Sequence, residues 1–407
     1  MSGTTVEDSN PKIDEKYRHI YVIIEHFEGH VVPVSLEMLG EARRLMDDFN
    51  QKYHSTEKVV AVVLGSNVRD LCEELVTYGA DCVIYANHEV LKYPRNDIDT
   101  RLIAQIAKDT QLIKEISPEY QSAFARPRYM FFAADNIGRH LSSTVLAELE
   151  SGLASDINKL VISDLEIRHE HKTKGKTIRY EKILEMYRPD FSGFLWTTIL
   201  CLDNKNPEIL REYHPQGCSI IPGAFKPIER DSSRKGKVIE YSPEGYQDSK
   251  IKILNRKVVK KTVDYDTSKI IVSFGRGIRE NPERNIKMIE ELAQTLGAEI
   301  GITLPLSKKP YQLSQNLDSK YMIPDRVIGT SGSKVAPRLY VAIGLSGAVQ
   351  HIAGMKESEV VISINTDKNS PIIDESDIFI NGRLEEVVPV LTEQLKKQTN
   401  NISMRSN

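Results

Sequence analysis

The chain has 407 residues, of which 40% are hydrophobic and 27% are charged, and this composition is typical of a globular protein. Its length favours two domains, each with its own core. The formal net charge of −3 argues against nucleic acid as a main partner. Direct membrane insertion is not expected either, because no apolar stretch approaches the roughly 20 residues that a membrane-spanning helix needs.

The chain begins with a polar, acidic segment, MSGTTVEDSNPKIDEKY, which lacks the basic start and the apolar stretch of a signal peptide. We therefore expect the protein in the cytoplasm. The four cysteines show no C-x-x-C spacing, and Cys82 and Cys201 lie in apolar, strand-like runs. Buried free thiols are therefore favoured over disulfides.

Two histidines, His169 and His171, form an H-x-H pair within RHEHKTKGK. A polar, lysine-rich sequence of this kind is typical of a solvated hairpin, which is favoured here over a metal site. No metal-binding or catalytic residue is therefore assigned.

Strand-like and helix-like patterns alternate over the first 150 residues, as in proteins with a parallel sheet. From residue 160 to 222 the pattern changes to shorter β-like runs at 176–182, 193–202 and 218–221, which suit antiparallel strands added to the same sheet. We therefore expect residues 1–225 to form one α/β domain with added antiparallel strands. The elements predicted before residue 150 are strands at 19–25, 59–64, 81–85 and 129–134, and helices at 35–49, 68–78, 100–116 and 137–149.

Residues 226–268 are strongly polar and include KPIERDSSRKGK and the basic run KILNRKVVKK. Such a composition predicts a solvated segment that connects two domains. A site for an anionic partner is the alternative.

The C-terminal domain is expected at residues 269–407, where β-α units repeat. This order predicts a doubly wound parallel sheet, whose ligand should lie beyond the carboxyl ends of the strands. The predicted elements are strands at 270–274, 298–303, 339–343, 360–364 and 378–380, and helices at 281–296 and 384–395.

Four strand-end loops of this domain contain glycine or short polar side chains, and the richest lies within RLYVAIGLSGAVQHIAGM, residues 338–355. Gly344 and Gly347 let the backbone bend, and the N–H groups at the start of the following helix suit phosphate. Arg276 lies between two glycines and suits a charge-assisted contact with a phosphate oxygen, although a surface ion pair is equally open. Together the loops predict a groove for a linear, polyphosphate-containing ligand.

The block VAPRLYVAIGLSGAVQHIAGMKESEVVISINTD, which begins at Val335, resembles the electron transfer flavoprotein α-subunit family almost throughout. The N-terminal half is similar to the same family in YVIIEHFEGHVVPVSLEMLGEARRL and in GRHLSSTVLAELESGLASDI. This resemblance covers nearly the full chain. It implies FAD in the C-terminal domain and an N-terminal domain that forms the interface with a β-subunit.

The resemblance also implies roles for individual residues. Arg276 matches a phosphate-contacting arginine, Ser331 the hydroxyl residue near flavin N5, and Asn365 an asparagine near the adenosine half. His351 matches a histidine at the pyrimidine edge, where its N–H or positive charge would stabilise an anionic reduced ring. The expected FAD-binding residues are Arg276, Thr303, Ile328, Gly329, Thr330, Ser331, Ser346, Gly347, Ala348, Val349, Gln350, His351, Asn365, Arg383 and Leu384.

Some positions depart from the family pattern. Thr303-Leu304 stands where the family usually carries serine-arginine, and losing a fixed cation near the ring lowers the expected reduction potential unless Lys308 or Lys309 replaces it. Thr330 replaces a glutamine, and Arg383 replaces an aspartate.

The leading hypothesis is an electron carrier subunit rather than an enzyme. With a β-subunit that carries AMP or a second FAD, it would pass electrons from flavoprotein dehydrogenases, such as the acyl-CoA dehydrogenases of fatty acid β-oxidation, to a membrane quinone oxidoreductase or another acceptor. Two alternatives stay open. One is the α-subunit of an electron-bifurcating, NADH-dependent complex, and the other is a non-redox nucleotide-binding protein that has lost the flavin.

Overall fold

A computed structural model describes residues 16–120, 126–168, 177–190, 195–202, 213–242, 249–258, 262–265 and 267–405. The described residues up to Leu254 form one compact unit and those from Asn255 onward form a second. Each unit is built on a parallel sheet with helices, so the predicted α/β class is confirmed.

The first unit is centred on a seven-stranded, all-parallel sheet with the strand order β12-β5-β4-β1-β6-β11-β7. Its central strands are near-continuous apolar runs, as expected for strands that are buried on both faces. The elements of this unit are β1 (Tyr17–Ile24), β2 (His26–Phe27), β3 (His30–Val31), α1 (Pro33–Tyr53), β4 (Val59–Gly65), α2 (Arg69–Thr77), β5 (Cys82–Asn87), α3 (Asn96–Lys108), α4 (Thr110–Ile116), β6 (Arg126–Ala133), α5 (Asn136–Glu148), β7 (Leu153–Ile157), β8 (Lys159–Ile167), β9 (Ile178–Asp190), β10 (Leu195–Ile199), β11 (Gln216–Ile220) and β12 (Lys237–Tyr241).

The antiparallel strands differ from the prediction. β8, β9 and β10 are antiparallel but form a three-stranded sheet of their own rather than an addition to the first sheet. The run predicted at 218–221 is β11, which lies in the main sheet, parallel to both β6 and β7. Residue 176, residues 193–194 and the His169–His171 pair lie outside the described residues.

The segment predicted to connect two domains, 226–268, is shared between the two units. β12 joins the main sheet at its edge, parallel to β5, and Val263 and Tyr265 are buried in a core of the second unit. The polar composition was misleading because an edge strand keeps polar residues on its exposed positions, as Lys237 and Glu240 do here.

The helical segment predicted at 100–116 is two helices, α3 and α4. Asp109 separates them, since its carboxylate accepts hydrogen bonds from the backbone N–H groups of Gln111 and Leu112 at 2.8 and 3.2 Å. An aspartate that caps the start of one helix also ends the preceding one. Apolar periodicity alone did not reveal this break.

The second unit contains a five-stranded parallel sheet with the order β14-β13-β15-β16-β17. Both sheet faces are buried, so the sheet is doubly wound as predicted: Val272 and Phe274 belong to the core under α6 and α9, and Ile271 belongs to the core on the opposite face. The elements are β13 (Ile270–Phe274), α6 (Pro282–Leu296), β14 (Glu299–Ile302), α7 (Gln315–Tyr321), β15 (Leu339–Ile343), α8 (Val349–Ile352), β16 (Val361–Asn365), β17 (Ile378–Asn381) and α9 (Leu384–Arg405).

All four cysteines are buried and free, which confirms the prediction for their thiols. Among the described residues, no helix combines the length and the apolar character that a membrane crossing requires. Nor do these residues contain a cluster of His, Cys, Asp and Glu that could hold a metal ion.

Glu25 is a buried carboxyl group at the carboxyl end of β1. Burial, followed by the hydrogen bond to Asp135 and the charge of that residue, raises its pKa from 4.5 to about 9. The unfolded chain releases this proton above pH 4.5 whereas the folded chain keeps it, so Glu25 lowers the stability progressively as the pH rises from 4.5 to about 9.

We therefore expect Glu25→Gln, which keeps a donor for Asp135 but has no proton to lose, to melt at a higher temperature than the parent protein near the upper end of that range. Thermal denaturation followed by circular dichroism across this pH range checks it. Glu375→Gln, at an exposed position of the second unit, is the control. If the melting temperatures of Glu25→Gln and the parent protein change with pH in parallel, Glu25 is ionised in the folded protein.

Candidate functional site

The carboxyl ends of the second unit's strands open into a cleft of about 830 Å³. This volume is within the range of roughly 300–1,000 Å³ that is usual for small-molecule and cofactor sites. The sheet order reverses between β13 and β15, and in open α/β sheets ligands bind where the order reverses. The loops that follow β13 and β15 both line the cleft, so the topology places a binding site there.

The predicted FAD-binding residues line this cleft, with one exception. Val349, in the first turn of α8, is 36% exposed and is not part of the wall. The predicted residues that the structure brings together are Arg276, Thr303, Ile328, Gly329, Thr330, Ser331, Ser346, Gly347, Ala348, Gln350, His351, Asn365, Arg383 and Leu384.

The loop after β15 presents unused backbone donors to the cleft. The N–H groups of Ser346, Gly347 and Ala348 donate no hydrogen bond within the described part of the chain. Gly347 has a φ of 76°, and a Cβ there would lie 2.6 Å from Cα of Ile372. α8 has only four residues, so the predicted phosphate site at a helix start is instead a loop whose free N–H groups suit an anion.

His351 is 4% exposed and has both ring nitrogens bonded to protein groups. A carbonyl only accepts, so Nδ1 carries the hydrogen and donates to the Ile328 carbonyl at 2.9 Å, and Nε2 accepts from the Tyr340 hydroxyl at 2.9 Å. Burial lowers the pKa of His351 to about 4, which makes the ring neutral near pH 7. The expectation that it offers a positive charge is therefore wrong.

Asn365 connects two loops of the cleft. Its Nδ2 donates to the Leu345 carbonyl at 2.9 Å and to the Ser370 hydroxyl at 3.2 Å, and its Oδ1 accepts from the Asp367 N–H at 3.0 Å. The Ser370 hydroxyl in turn donates to the carbonyl of Ser346 at 2.8 Å. Asn365 therefore fixes the shape of this part of the wall, beyond lining it.

The arginines of the cleft differ in their partners. Arg383 pairs with Glu280 and lies 3.7 Å from an Oε of Glu385, so its charge is already matched. Within the described part of the chain, the side chains of Arg276 and Arg279 have no ion pair or hydrogen bond. These two cations are the ones available to an anionic ligand.

The side of the cleft that follows β14 is uncharged. Leu304 lines it and is 39% exposed, whereas neither Lys308 nor Lys309 does, and Lys309 Nζ lies 2.6 Å from Asp318. The expectation that one of these lysines supplies a cation there is therefore wrong. We call this side the uncharged end, defined by Thr303, Leu304, Pro305, Tyr311, Val327, Ile328, Gly329, Thr330, Ser331, Gln350 and His351.

Several wall residues were not predicted. Arg279 carried a usable signal, because it lies three residues after Arg276 in the same strand-end loop. Tyr311 carried none: it lies in a long loop without periodicity, and only the folded chain shows its hydroxyl donating to the Arg276 carbonyl at 3.2 Å. The others are Glu280, Pro305, Val327, Leu345, Ser370, Gly382 and Glu385.

The wall fits a flavin dinucleotide. Free backbone N–H groups beside two unpaired arginines suit a pyrophosphate. The uncharged end combines Leu304, Pro305 and Tyr311, whose apolar and aromatic surfaces suit a flat ring system. The opposite side, with Asn365, Thr366 and Asp367, offers polar atoms for a sugar.

Comparison with known families agrees with this geometry. Residues 264–356 match the family described as "Electron transfer flavoprotein FAD-binding domain", and residues 20–185 match the "Electron transfer flavoprotein domain". The first match contains the cleft loops that follow β13, β14 and β15.

Curated relatives match over almost the whole chain. An electron transfer flavoprotein subunit alpha of Thermoanaerobacterium thermosaccharolyticum is 32% identical over 94% of this chain and 98% of its own length. An acryloyl-CoA reductase electron transfer subunit beta of Anaerotignum propionicum is 30% identical over 94% of this chain and 97% of its own length. Protein FixB of Azotobacter vinelandii is 32% identical over 93% of this chain and 91% of its own length.

A solved thiamin diphosphate-dependent enzyme from Mycobacterium smegmatis aligns with 10% identity over 87% of this chain and 54% of its own, but its TM-score of 0.20 is too low to indicate a shared fold. The two family matches and the near full-length relatives carry the assignment. The chain belongs to the electron transfer flavoprotein α-subunit family, and its C-terminal part is that family's FAD-binding domain.

Proposed function

We propose that this chain holds FAD in the cleft of its second unit and, with a β-subunit bound through its N-terminal domain, carries electrons between flavoprotein dehydrogenases and a separate acceptor. The observation that carries the proposal is the group of free backbone donors at Ser346, Gly347 and Ala348 beside the unpaired Arg276. These groups match a pyrophosphate, the part of FAD that needs the most charge compensation.

Each part of the wall has a separate task in this proposal. Arg276 and the loop after β15 bind the pyrophosphate, and Asn365, Arg383 and Leu384 border the adenosine half. Thr303, Ile328 to Ser331, Gln350 and His351 surround the ring. FAD supplies the chemistry when bound, because its ring accepts and releases electrons. The chain itself binds and orients FAD and excludes water, so we propose a carrier rather than an enzyme.

The family and the relatives support the partners that we propose. Acyl-CoA dehydrogenases are the donors we propose, as in fatty acid β-oxidation, with a membrane quinone oxidoreductase or another acceptor downstream. The relative named as a subunit of acryloyl-CoA reductase supports a partner of the acyl-CoA class. A cytoplasmic location is supported by four buried, free cysteines, which are usual in a reducing compartment.

Purification of this chain with its native partner tests the proposal. We expect a yellow heterodimer with one FAD on this subunit, measured by visible absorption and by flavin release on denaturation. A colourless complex that takes up no FAD on incubation would contradict it. A count of two FAD together with reduction by NADH would identify the bifurcating alternative, in which the β-subunit carries a second FAD rather than AMP.

A further inference from the structure

We infer that Tyr311 is a positioning residue for Arg276. Its hydroxyl holds the backbone carbonyl of Arg276 in place, and through that peptide it sets the position from which the arginine side chain reaches a phosphate of FAD. This inference rests on the proposed function, because it requires FAD in the cleft. It adds a residue on which the binding strength of that arginine depends.

The peptide that joins Arg276 to Gly277 is held on both of its sides. Its N–H, which belongs to Gly277, donates to the carbonyl of Gly344 at 2.8 Å. Its carbonyl, which belongs to Arg276, accepts from the Tyr311 hydroxyl at 3.2 Å. The N–H and C=O of a trans peptide point in opposite directions, so the two bonds together oppose rotation of the peptide plane. Without the hydroxyl, the peptide keeps only the bond to Gly344.

Glycine on either side of Arg276 makes the second bond important. Gly275 and Gly277 have no Cβ, so the backbone around the arginine can reach more conformations than it could between residues with side chains. Local sterics therefore restrict the peptide only weakly, and hydrogen bonds decide which orientation is populated. Tyr311 contributes one of these bonds from a loop that lies 35 residues later in the chain.

Tyr311 itself lies on a fixed base. Both Tyr311 and Leu313 pack against the core under α6. The backbone N–H of Ser314 donates to a carboxylate oxygen of Glu283, in the first turn of that helix, at 2.5 Å. The hydroxyl is therefore presented to the Arg276 carbonyl by a segment that is anchored independently of the cofactor.

The position of the Arg276 side chain depends on its backbone, because no protein group holds its far end. Within the described part of the chain its guanidinium has no ion pair or hydrogen bond, whereas that of Arg383 pairs with Glu280. A small rotation of the peptide moves the end of so long a side chain away from the phosphate, and restoring its position costs binding free energy. Fixing the peptide in advance removes that cost.

A double-mutant cycle on FAD binding tests the inference. Fluorescence titration of the FAD-free heterodimer gives the dissociation constants of the parent protein, Tyr311→Phe, Arg276→Ala and the double variant. We expect Tyr311→Phe to weaken binding roughly 2- to 10-fold in the parent protein, the usual worth of one uncharged hydrogen bond, and by less than about twofold in Arg276→Ala. Equal losses in the two backgrounds, or no loss in the parent protein, would overturn the inference.

The salt dependence of the affinity separates positioning of the charge from a general loosening of the loop. A contact between Arg276 and a phosphate weakens as salt is added, so the parent protein should lose more affinity than Arg276→Ala between about 50 and 500 mM KCl. Tyr311→Phe should lose less affinity over this range than the parent protein does. If Tyr311→Phe keeps the salt dependence of the parent protein, its hydroxyl does not act through the cation, and the inference fails.

Tyr321→Phe is the matched control. Tyr321 ties the same stretch of chain to α6, since its hydroxyl donates to a carboxylate oxygen of Glu290, but it lies outside the cleft wall. We expect this variant to bind FAD as tightly as the parent protein. An equal loss in Tyr321→Phe and Tyr311→Phe would show that any loosening of this segment weakens binding, which overturns the inference. A parent heterodimer that takes up no FAD instead contradicts the proposed function.

Discussion

Gly347→Ala is expected to yield a folded chain that retains almost no FAD and melts at a lower temperature than the parent protein. Gly347 has a φ of 76°, and an added Cβ would lie 2.6 Å from Cα of Ile372 and closer still to its amide nitrogen. The left-handed conformation costs a residue with a Cβ about 1–2 kcal/mol. The contact with Ile372 adds about 1–3 kcal/mol, because backbone atoms move less easily than side chains do.

The expected loss of FAD follows from which bonds this contact breaks. The Ile372 N–H and the Ser370 hydroxyl both donate to the carbonyl of Ser346, at 3.2 and 2.8 Å. Forcing Ile372 away from Gly347 therefore displaces the backbone that presents the free N–H groups to the cleft. Flavin absorbance after gel filtration measures retention, and circular dichroism measures the melting temperature.

Gly297→Ala is the matched control. Gly297 also has a positive φ, 63°, but a Cβ there meets nothing within 4 Å, and the residue lies at the end of α6, outside the cleft wall. This variant should show only the conformational part of the destabilisation and should keep its FAD. Equal FAD contents in the two alanine variants would show that the Gly347 loop does not bind the cofactor.

Arg276→Ala is expected to weaken FAD binding by roughly 10- to 100-fold, since a hydrogen bond to a charged group is worth about 1.5–3 kcal/mol. Arg276 has no competing partner within the described part of the chain, so the full interaction with a phosphate is lost. Fluorescence titration of the FAD-free heterodimer with FAD gives the dissociation constant. The FAD affinity of Arg276→Lys should lie between those of the parent protein and Arg276→Ala, because lysine keeps the charge but loses the planar pair of donors.

Arg338→Ala provides the control for a general loss of positive charge. Arg338 is exposed and pairs with Glu359 at 3.5 Å, away from the cleft wall. We expect its FAD affinity to equal that of the parent protein. An Arg276→Ala protein with the same affinity as Arg338→Ala would remove Arg276 from the binding site.

The sequence was sufficient for those elements whose physical signals are local. β13 and β15 were predicted to the residue, because each is a short apolar run that ends at glycine or at a polar loop. α6 has proline in its first turn and Gly297 just past its end, two signals that depend only on backbone geometry. The pairing of strands was less accessible: β12 lies in a strongly polar segment, and only the folded chain shows that it pairs with β5.

In the cleft, too, features with a local sequence signal were predictable, and features that depend on distant residues were not. Glycine and serine in the loop after β15 indicated a bend near a phosphate, and the structure places that loop in the cleft. The charge state of His351 was not predictable, because the ring is neutral owing to its burial in the folded chain. The pairing of Arg383 depends on Glu280, about a hundred residues earlier in the chain.

That pairing limits how this chain can change over evolutionary time. Arg383 lies between Glu280 and Glu385. Replacing Arg383 by aspartate alone would bring three carboxylates together and leave none of them matched by Arg383. The arginine is therefore tied to Glu280, and an acidic residue at position 383 requires that the glutamate be lost first or at the same time.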